Sequence, residues 1–420
     1  MIGSELPKGW KLVRLKEITS IIRGVSYPKE EAKLHPEENY VHILRGGNIQ
    51  DGKIVFETDD NVYVNSSLVG EEQFVLKDDV VIVASTGSKK VIGKAATIEE
   101  DSRCISFGAF LLLLRTNVID KRFHSYFFQT QYYRNTISSL AGGININNIK
   151  KEHIENLQIP LPPLTEQKQI AEKLDKLFDQ IETIKEASNK IPELLKNFRQ
   201  QVLTYAVTGK LTNSDFAHWE KSTIGAIGKV KGGKRLPKGE ELVNYNTGYP
   251  YIRARDLKEG TVLKQNIMYL LPETQEKIKN YIVKTNDVYI TIVGAKIGDA
   301  GIIPESMNNA NLTENAAKIT DLSEKIMPQY LSLWLQAPLC QSEIQQSIKS
   351  AAQGKLALTR INSLSVCFPP IESQKEIIDK VEYLLGELKI IESKFYLLQD
   401  ILEKLPQALL RKAFKGELIL

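Results

Sequence analysis

Two segments of the chain carry apolar residues at alternating intervals of four and three. In the first they fall at Ile170, Leu174, Leu177, Ile181, Ile184, Ile191, Leu195, Phe198, Val202 and Tyr205, with Ser188 the one polar member of the series. The second repeats the first at an offset of 207 residues, through Ile377, Val381, Leu384, Leu388, Ile391, Phe395, Leu398, Leu402, Leu405 and Leu409. Heptad spacing of this kind predicts two long helices, each with an apolar stripe that needs a facing partner. Residues 170–205 would extend roughly 54 Å at about 1.5 Å per residue, too far for one small domain to cover. The natural partner for each stripe is therefore the other. A globular segment separates the two, so the helices can run antiparallel. The coiled-coil interface is expected at Ile170, Leu174, Leu177, Ile181, Ile184 and Leu195 on one helix, and at Ile377, Val381, Leu384, Leu388, Ile391 and Leu402 on the other.

The helices are announced by matching text, "IPLPPLTEQKQIAEKLDKLF" at 159–178 and "CFPPIESQKEIIDKVEYLLG" at 367–386. Thr165 before Glu166 is a helix-start signal, and Ser373 with Glu376 reads as a capping box. Pro192 and Pro406 lie inside the pattern and should kink or restart it; neither has a counterpart in the other copy.

The similarity runs well beyond the helices. Trp10, Pro28 and Tyr40 answer to Trp219, Pro237 and Tyr249; Arg45 and Val80 answer to Arg253 and Val288; Phe123, Ser125 and Gln129 answer to Tyr330, Ser332 and Gln336. The offset drifts only from 209 to 207, as expected of a tandem duplication. Before each long helix come short β-rich runs broken by Gly, Asn and Asp, such as "VVIVAS" at 80–85, "FLLLLRT" at 110–116 and "VYITIV" at 288–293. A helix is expected at about 120–138, with its copy at about 327–349. The predicted fold is a duplicated α/β (α+β) domain joined by two long antiparallel coiled-coil helices, a dumbbell with pseudo-two-fold symmetry. The expected boundaries are 1–160 and 213–367 for the globular domains, and 161–212 and 368–420 for the helices.

Composition narrows the class. Apolar residues make up 42 % and charged residues 25 %, the balance of a soluble globular chain. No run approaches the roughly 18 apolar residues of a membrane span, and "MIGSELPKGW" lacks a signal peptide's apolar core, so no membrane partner and a cytoplasmic location are expected. Cys104, Cys340 and Cys367 are scattered and fit a reducing compartment, where they read as small buried hydrophobes.

No catalytic constellation emerges. "TGKLT" at 208–212 and "QGKLAL" at 353–358 each lack part of a phosphate-binding loop. Glu166-Gln167-Lys168 has the E-x-K form of some nucleases, yet the second copy has Ser373-Gln374-Lys375, and a helix start favours an acidic residue without any catalysis. The five histidines show no metal-ligand spacing, and neither proline pair is preceded by the Asn or Asp of an amino-methyltransferase. No catalytic residue, metal or cofactor is assigned to this chain.

The net charge of +4 decides little, but basic residues cluster in small turns at equivalent places in both copies. In the first copy they are Arg23 and Lys29 in "SIIRGVSYPK", Arg45 with Asn48 in "LRGGN", and Lys89 and Lys90 in "STGSKKVIGK". In the second they are Lys234 and Arg235 in "KVKGGKRLPK", Arg253 and Arg255 in "RAR", and Lys296 in "GAKIG". Turns of this kind suit close approach to a phosphate backbone, and Arg and Asn can also read purine edges. Two further loops precede the proline pairs: "LAGGININN", with Asn145 and Asn147, and "AAQGKLALTR", with Lys355 and Arg360. Matched scaffolds with mismatched loops are what two readers of different DNA sequences would need.

The architecture resembles the specificity subunits of type I restriction-modification systems. The resemblance rests on "PLPPLTEQKQIAEKLD" and "FPPIESQKEIIDKVE", the repeat ends "VTGKLT" and "FKGELI", and the opening "LPKGWKLVRLKEI", and it covers the whole chain. It implies that each α/β unit is a target-recognition domain for one half of a bipartite double-stranded DNA site. The helices would set the spacing and dock two methyltransferase subunits, with restriction subunits joining through those. S-adenosylmethionine and ATP would then bind the partners. Two other classes give different expectations: a self-assembling coiled-coil scaffold that binds DNA without an enzymatic partner would show no preference among duplexes, and a stand-alone enzyme would turn over a substrate by itself.

Overall fold

The computed structural model describes residues 6–50, 52–56, 58, 61–140, 147–212, 215–349 and 354–418. They gather into two units, residues 6–188 with 397–418, and residues 189–396.

In the first unit a four-stranded antiparallel sheet has the order Ser20–Arg23, Leu111–Arg115, Val80–Val83, Ala95–Thr97. The continuous apolar runs of its central strands follow from burial on both faces. Val80, Ile82, Leu112 and Leu114 enter a core with Phe123, Phe127, Ile170 and Leu174. The alternate residues Val81, Val83, Leu111 and Leu113 enter a second core with Leu44, Ile49 and Phe107. Over that second face lies a smaller sheet, with Tyr40–Leu44 parallel to Ile105–Phe107 and antiparallel to Val62–Asn65.

The second unit repeats this topology. Its main sheet runs Lys229–Gly232, Ala316–Thr320, Val288–Thr291, Ala300–Ile302. Its smaller sheet places Pro250–Ile252 parallel to Asn311–Leu312 and antiparallel to Met268–Tyr269. In each copy the opening strand pairs with the strand before the proline pair, Lys11–Arg14 with Gln158–Leu161, and Glu220–Thr223 with Ser365–Phe368. The expected single helix of each copy is two helices, Lys121–Gln129 and Gln131–Leu140, then Pro328–Gln336 and Pro338–Lys349. The chain turns at extended Thr130 and Ala337.

The long helices begin right after the proline pairs, as Leu164–Ser188 and Ile371–Ala413. Ser373 therefore lies within the first turn and does not cap it, which corrects the capping-box reading. Pro192 marks a restart, since a turn at 189–190 precedes the helix Ile191–Val207, whereas Pro406 sits inside an unbroken helix.

The shared letter after the proline pair is a buried glutamine. Gln167 accepts from the Asp120 N–H (2.9 Å) and donates to the Pro162 carbonyl (2.8 Å). Gln374 accepts from the Met327 N–H and donates to the carbonyls of Pro369 and Lys325, each at 2.8 Å. Asp120 and Met327 are the N-caps of the helices Lys121–Gln129 and Pro328–Gln336, so each glutamine locks a long helix onto its α/β body. Glu166, the acid of the E-x-K triplet, accepts from the Trp10 indole N–H at 2.9 Å.

Within the second unit Val202, Leu203, Ala206 and Val207 share a core with Ile377, Ile378 and Val381. The Arg199–Glu392 ion pair at 3.6 Å and the Lys380 bond to the Leu211 carbonyl at 3.4 Å show the two segments antiparallel. Within the first unit Ile170, Ala171 and Leu174 share a core with Leu410, Ala413 and Phe414. The buried stripe is narrower than the heptad reading. Ile170, Leu174, Ile181, Ile377, Val381, Leu388 and Leu402 are buried, and Leu177, Leu195 and Leu384 are half-buried. Ile184 and Ile391 are 44 % and 50 % exposed. Along 181–188 and 388–395 the buried seam positions fall once per heptad, at Ile181 and Ser188 and at Leu388 and Phe395.

Candidate nucleic-acid interface

The sheet register brings most of the basic turns to one rim of each unit. In the first, Arg23 closes its strand opposite Leu112, Val83 closes its strand opposite Leu111, and Ile82 lies opposite Ala95. Arg23, the turn carrying the exposed Phe110, and the loop with Lys89 and Lys90 therefore share an edge. Ser85–Thr86 continues from that edge and pairs with Asn147–Asn148, and the Ile149 N–H donates to the Ala84 carbonyl at 2.7 Å. Asn145 lies outside the described residues, and Asn147 is placed through its backbone pairing with Thr86.

The close approach of Gly24 to the strand end is steric: a Cβ there would stand 2.1 Å from the Gly108 carbonyl oxygen. Gly233 meets the Thr313 carbonyl at the same 2.1 Å. Glycine is thus required beside Arg23, and again beside Lys234.

In the second unit Gly232 lies opposite Ala317, and Thr291 opposite Ala316, so Lys234, Arg235 and the loop bearing Lys296 share the equivalent rim. The Leu356 N–H donates to the Ile292 carbonyl at 3.0 Å, which brings Lys355 beside the Lys296 loop. Arg360 is exposed on the helix Leu358–Ser363, which packs against Lys229–Gly232. Lys234 lies over the Tyr281 ring at 5.4 Å, and the exposed Arg235 pairs with Glu314 at 2.7 Å. Lys296 stands 3.9 Å from Asp299. Arg255 is exposed, with no ion pair among the described residues. Lys29 is exposed in the turn Lys29–Glu31, and no described pairing ties that turn to the rim.

Two expected base readers have structural work instead. Asn48 is 1 % exposed. Its amide accepts from the Arg45 N–H at 2.8 Å and donates to the Val55 carbonyl at 2.8 Å. Arg253 makes a two-pronged ion pair with buried Asp256, both bonds at 2.8 Å, and donates to the Asn266 carbonyl at 2.6 Å. Asn48 and Asp256 are equivalent residues that close the same turn, since the Arg253 N–H bonds Asp256 at 2.9 Å as the Arg45 N–H bonds Asn48. The Asn48 amide, buried and used by its own turn, has nothing left for a base edge, so Asn48 is withdrawn as a DNA contact; Arg253 is held by Asp256 with its side chain 18 % exposed. Arg45, half-buried at that turn, keeps its position beside the rim because Gly46 lies against Val83.

Cys104 is exposed, contrary to the expected burial, whereas Cys340 and Cys367 are buried. Burial pushes the Cys340 thiol up to about 12. Among the described residues no cluster of His, Cys, Asp and Glu could hold a metal ion, and no helix is long and apolar enough to cross a membrane. Along the long helices Leu194, Phe198, Tyr383, Ile390, Tyr396 and Ile401 are exposed, an apolar surface that sequence periodicity had assigned in part to the seam.

Comparison with known proteins agrees with this geometry. The family model for the type I restriction modification DNA specificity domain matches twice, over residues 7–193 and 217–396. The chain belongs to the type I restriction-modification specificity subunits. The EcoKI specificity subunit of Escherichia coli is 34 % identical over 430 residues, covering 100 % of this chain and 91 % of its relative. The StySPI specificity subunit of Salmonella potsdam is 35 % identical over 428 residues with the same coverage. Among solved structures, the HsdS subunit from Thermoanaerobacter tengcongensis shares the fold, with a TM-score of 0.69 at 17 % identity over 99 % of both chains. Specificity subunits determine DNA target recognition and are non-catalytic components of the restriction-modification complex.

Proposed function

We propose that the α/β bodies at 1–160 and 213–367 each read one half of a bipartite duplex site through their basic rims. The observation that carries this reading is the pair of rims themselves, which share one topology but differ in side chains, with Lys89 and Lys90 in one and Lys296, Lys355 and Arg360 in the other. Phosphate contacts from the lysines would hold register while neighbouring groups discriminate bases. The helices at 161–212 and 368–420 then act as a ruler between half-sites. Their exposed apolar residues, Phe198, Tyr383 and Tyr396 among them, suit two methyltransferase subunits, through which restriction subunits join in the cytoplasm. S-adenosylmethionine and ATP belong to those partners.

The ruler is tested by lengthening. Four residues inserted into each long helix add about 6 Å, or about two base pairs at roughly 3.4 Å each. The methylated motif should keep both half-sites and gain spacer. Altered half-site letters at unchanged spacing would refute the ruler.

A further inference from the structure

We propose that Arg134 and Gln341 are positioning residues for target recognition, each fixing the pose of one basic loop. The inference rests on the reading that these loops face the duplex, and it names what holds them. Arg134, on the helix Gln131–Leu140, donates to the Ile92 carbonyl at 2.5 Å and the Lys90 carbonyl at 3.1 Å. Gln341 occupies the equivalent place on Pro338–Lys349, 207 residues on, and donates to the Gly298 carbonyl at 2.9 Å.

The rest of the clasp is duplicated too. Gly93 has φ +69 and Gly298 has φ +97. A Cβ on Gly93 would meet Ile137 Cγ2 at 2.5 Å; one on Gly298 would meet Gln341 Oε1 at 2.8 Å and Ile344 Cγ2 at 3.3 Å. Ile137 and Ile344 are fully buried and again 207 residues apart. Each loop is also closed at its neck, by the Gly93 N–H on the Val83 carbonyl (2.8 Å) and the Gly298 N–H on the Thr291 carbonyl (2.9 Å). The second loop is shorter, yet the helix reaches it by the same device.

Exposed lysines on an untethered loop would find phosphates without regard to sequence. Tethering the loop backbone limits which phosphate and which base edge the lysines and their neighbours reach. Arg134 directs its N–H groups at loop carbonyls and so acts through the loop. Because the anchors differ, a cation with two carbonyls in one copy and a neutral amide with one loop carbonyl in the other, each should govern its own half-site alone.

The test uses the full complex with its methyltransferase subunits and measures methylation rates on duplexes carrying the cognate site or single substitutions in either half. Arg134→Ala should lower the cognate-to-substituted ratio about tenfold at one half-site, the scale of one good contact, and Gln341→Ala should do so at the other without removing a charge. Arg134→Lys, which keeps the charge and one donor group, should restore part of the ratio. In a Lys89→Ala/Lys90→Ala background, Arg134→Ala should add less than about twofold, because coupled residues are not additive. Arg134→Gln, the second copy's own residue, replaces the alanine variant if that one folds poorly. Equal rate loss on every duplex, or a full additional loss in the lysine-free background, would overturn the inference. No effect of the lysine variants on either half-site would remove the loop from the DNA and overturn the proposed reading along with it.

Discussion

Replacing Gln374 by alanine tests whether the repeated proline-pair text serves to lock helix to body. The amide is fully buried and makes three bonds at 2.8 Å, to Met327, Pro369 and Lys325. Each bond contributes about 1 kcal/mol net, and the orphaned buried partners carry their own desolvation cost, so the loss should be about 3 kcal/mol. Gln167, with two such bonds, should lose about 2 kcal/mol when changed to alanine. Urea unfolding can be followed unit by unit through tryptophan fluorescence in variants that keep only Trp10 or only Trp219 and Trp334, because Trp10 is buried in the first unit and the other two in the second. With a slope of about 2 to 3 kcal/mol per molar urea, Gln374→Ala should move the Trp219 and Trp334 transition down by about 1 to 1.5 M. The Trp10 transition should move less. Gln374→Glu cannot donate to the two carbonyls and would bury a charge, so its carboxyl titrates high in the folded state and its deficit should shrink as pH falls. A Gln374→Ala shift below about 0.3 M would refute the locking role.

Replacing Lys355 and Arg360 together by alanine should weaken or relax methylation at one half-site only; equal loss at both would point to misfolding or lost phosphate attraction. His124 offers a pH signature. Its ring is fully buried beside Thr19, with Nε2 2.9 Å from the hydroxyl, and burial pushes the imidazole down to about 3 from its ordinary 6.5. Between those values the unfolded chain binds a proton that the folded chain refuses, so stability falls as pH drops, by up to about 1.4 kcal/mol per unit. His124→Gln should flatten that slope in paired urea titrations, and an unchanged slope would show that His124 does not carry it.

The duplication, the two long helices and the α/β bodies were legible because each rests on spacing, which survives divergence. The side-chain roles were less so. Arg45 and Arg253 open equivalent turns, yet Arg253 is drawn into an ion pair because residue 256 is Asp where residue 48 is Asn. Asn48 had the chemistry of a purine reader, and only the folded turn shows its amide fully used. Gln167 and Gln374 stood in plain view inside a triplet weighed for catalysis, and their repetition was the available signal. Arg134 and Gln341 differ in type, so only their shared offset and the facing glycines could have linked them. Ile184 and Ile391 obey the heptad but keep about half of their surface exposed.

The central claim is that this chain chooses the DNA sequence its complex modifies. The most direct measurement maps DNA methylation genome-wide in cells carrying the cognate methyltransferase with this chain, against cells lacking only this chain. A gapped two-part motif methylated only when the chain is present is the predicted result. Methylation unchanged by its absence, with the complex shown to assemble, would contradict the account.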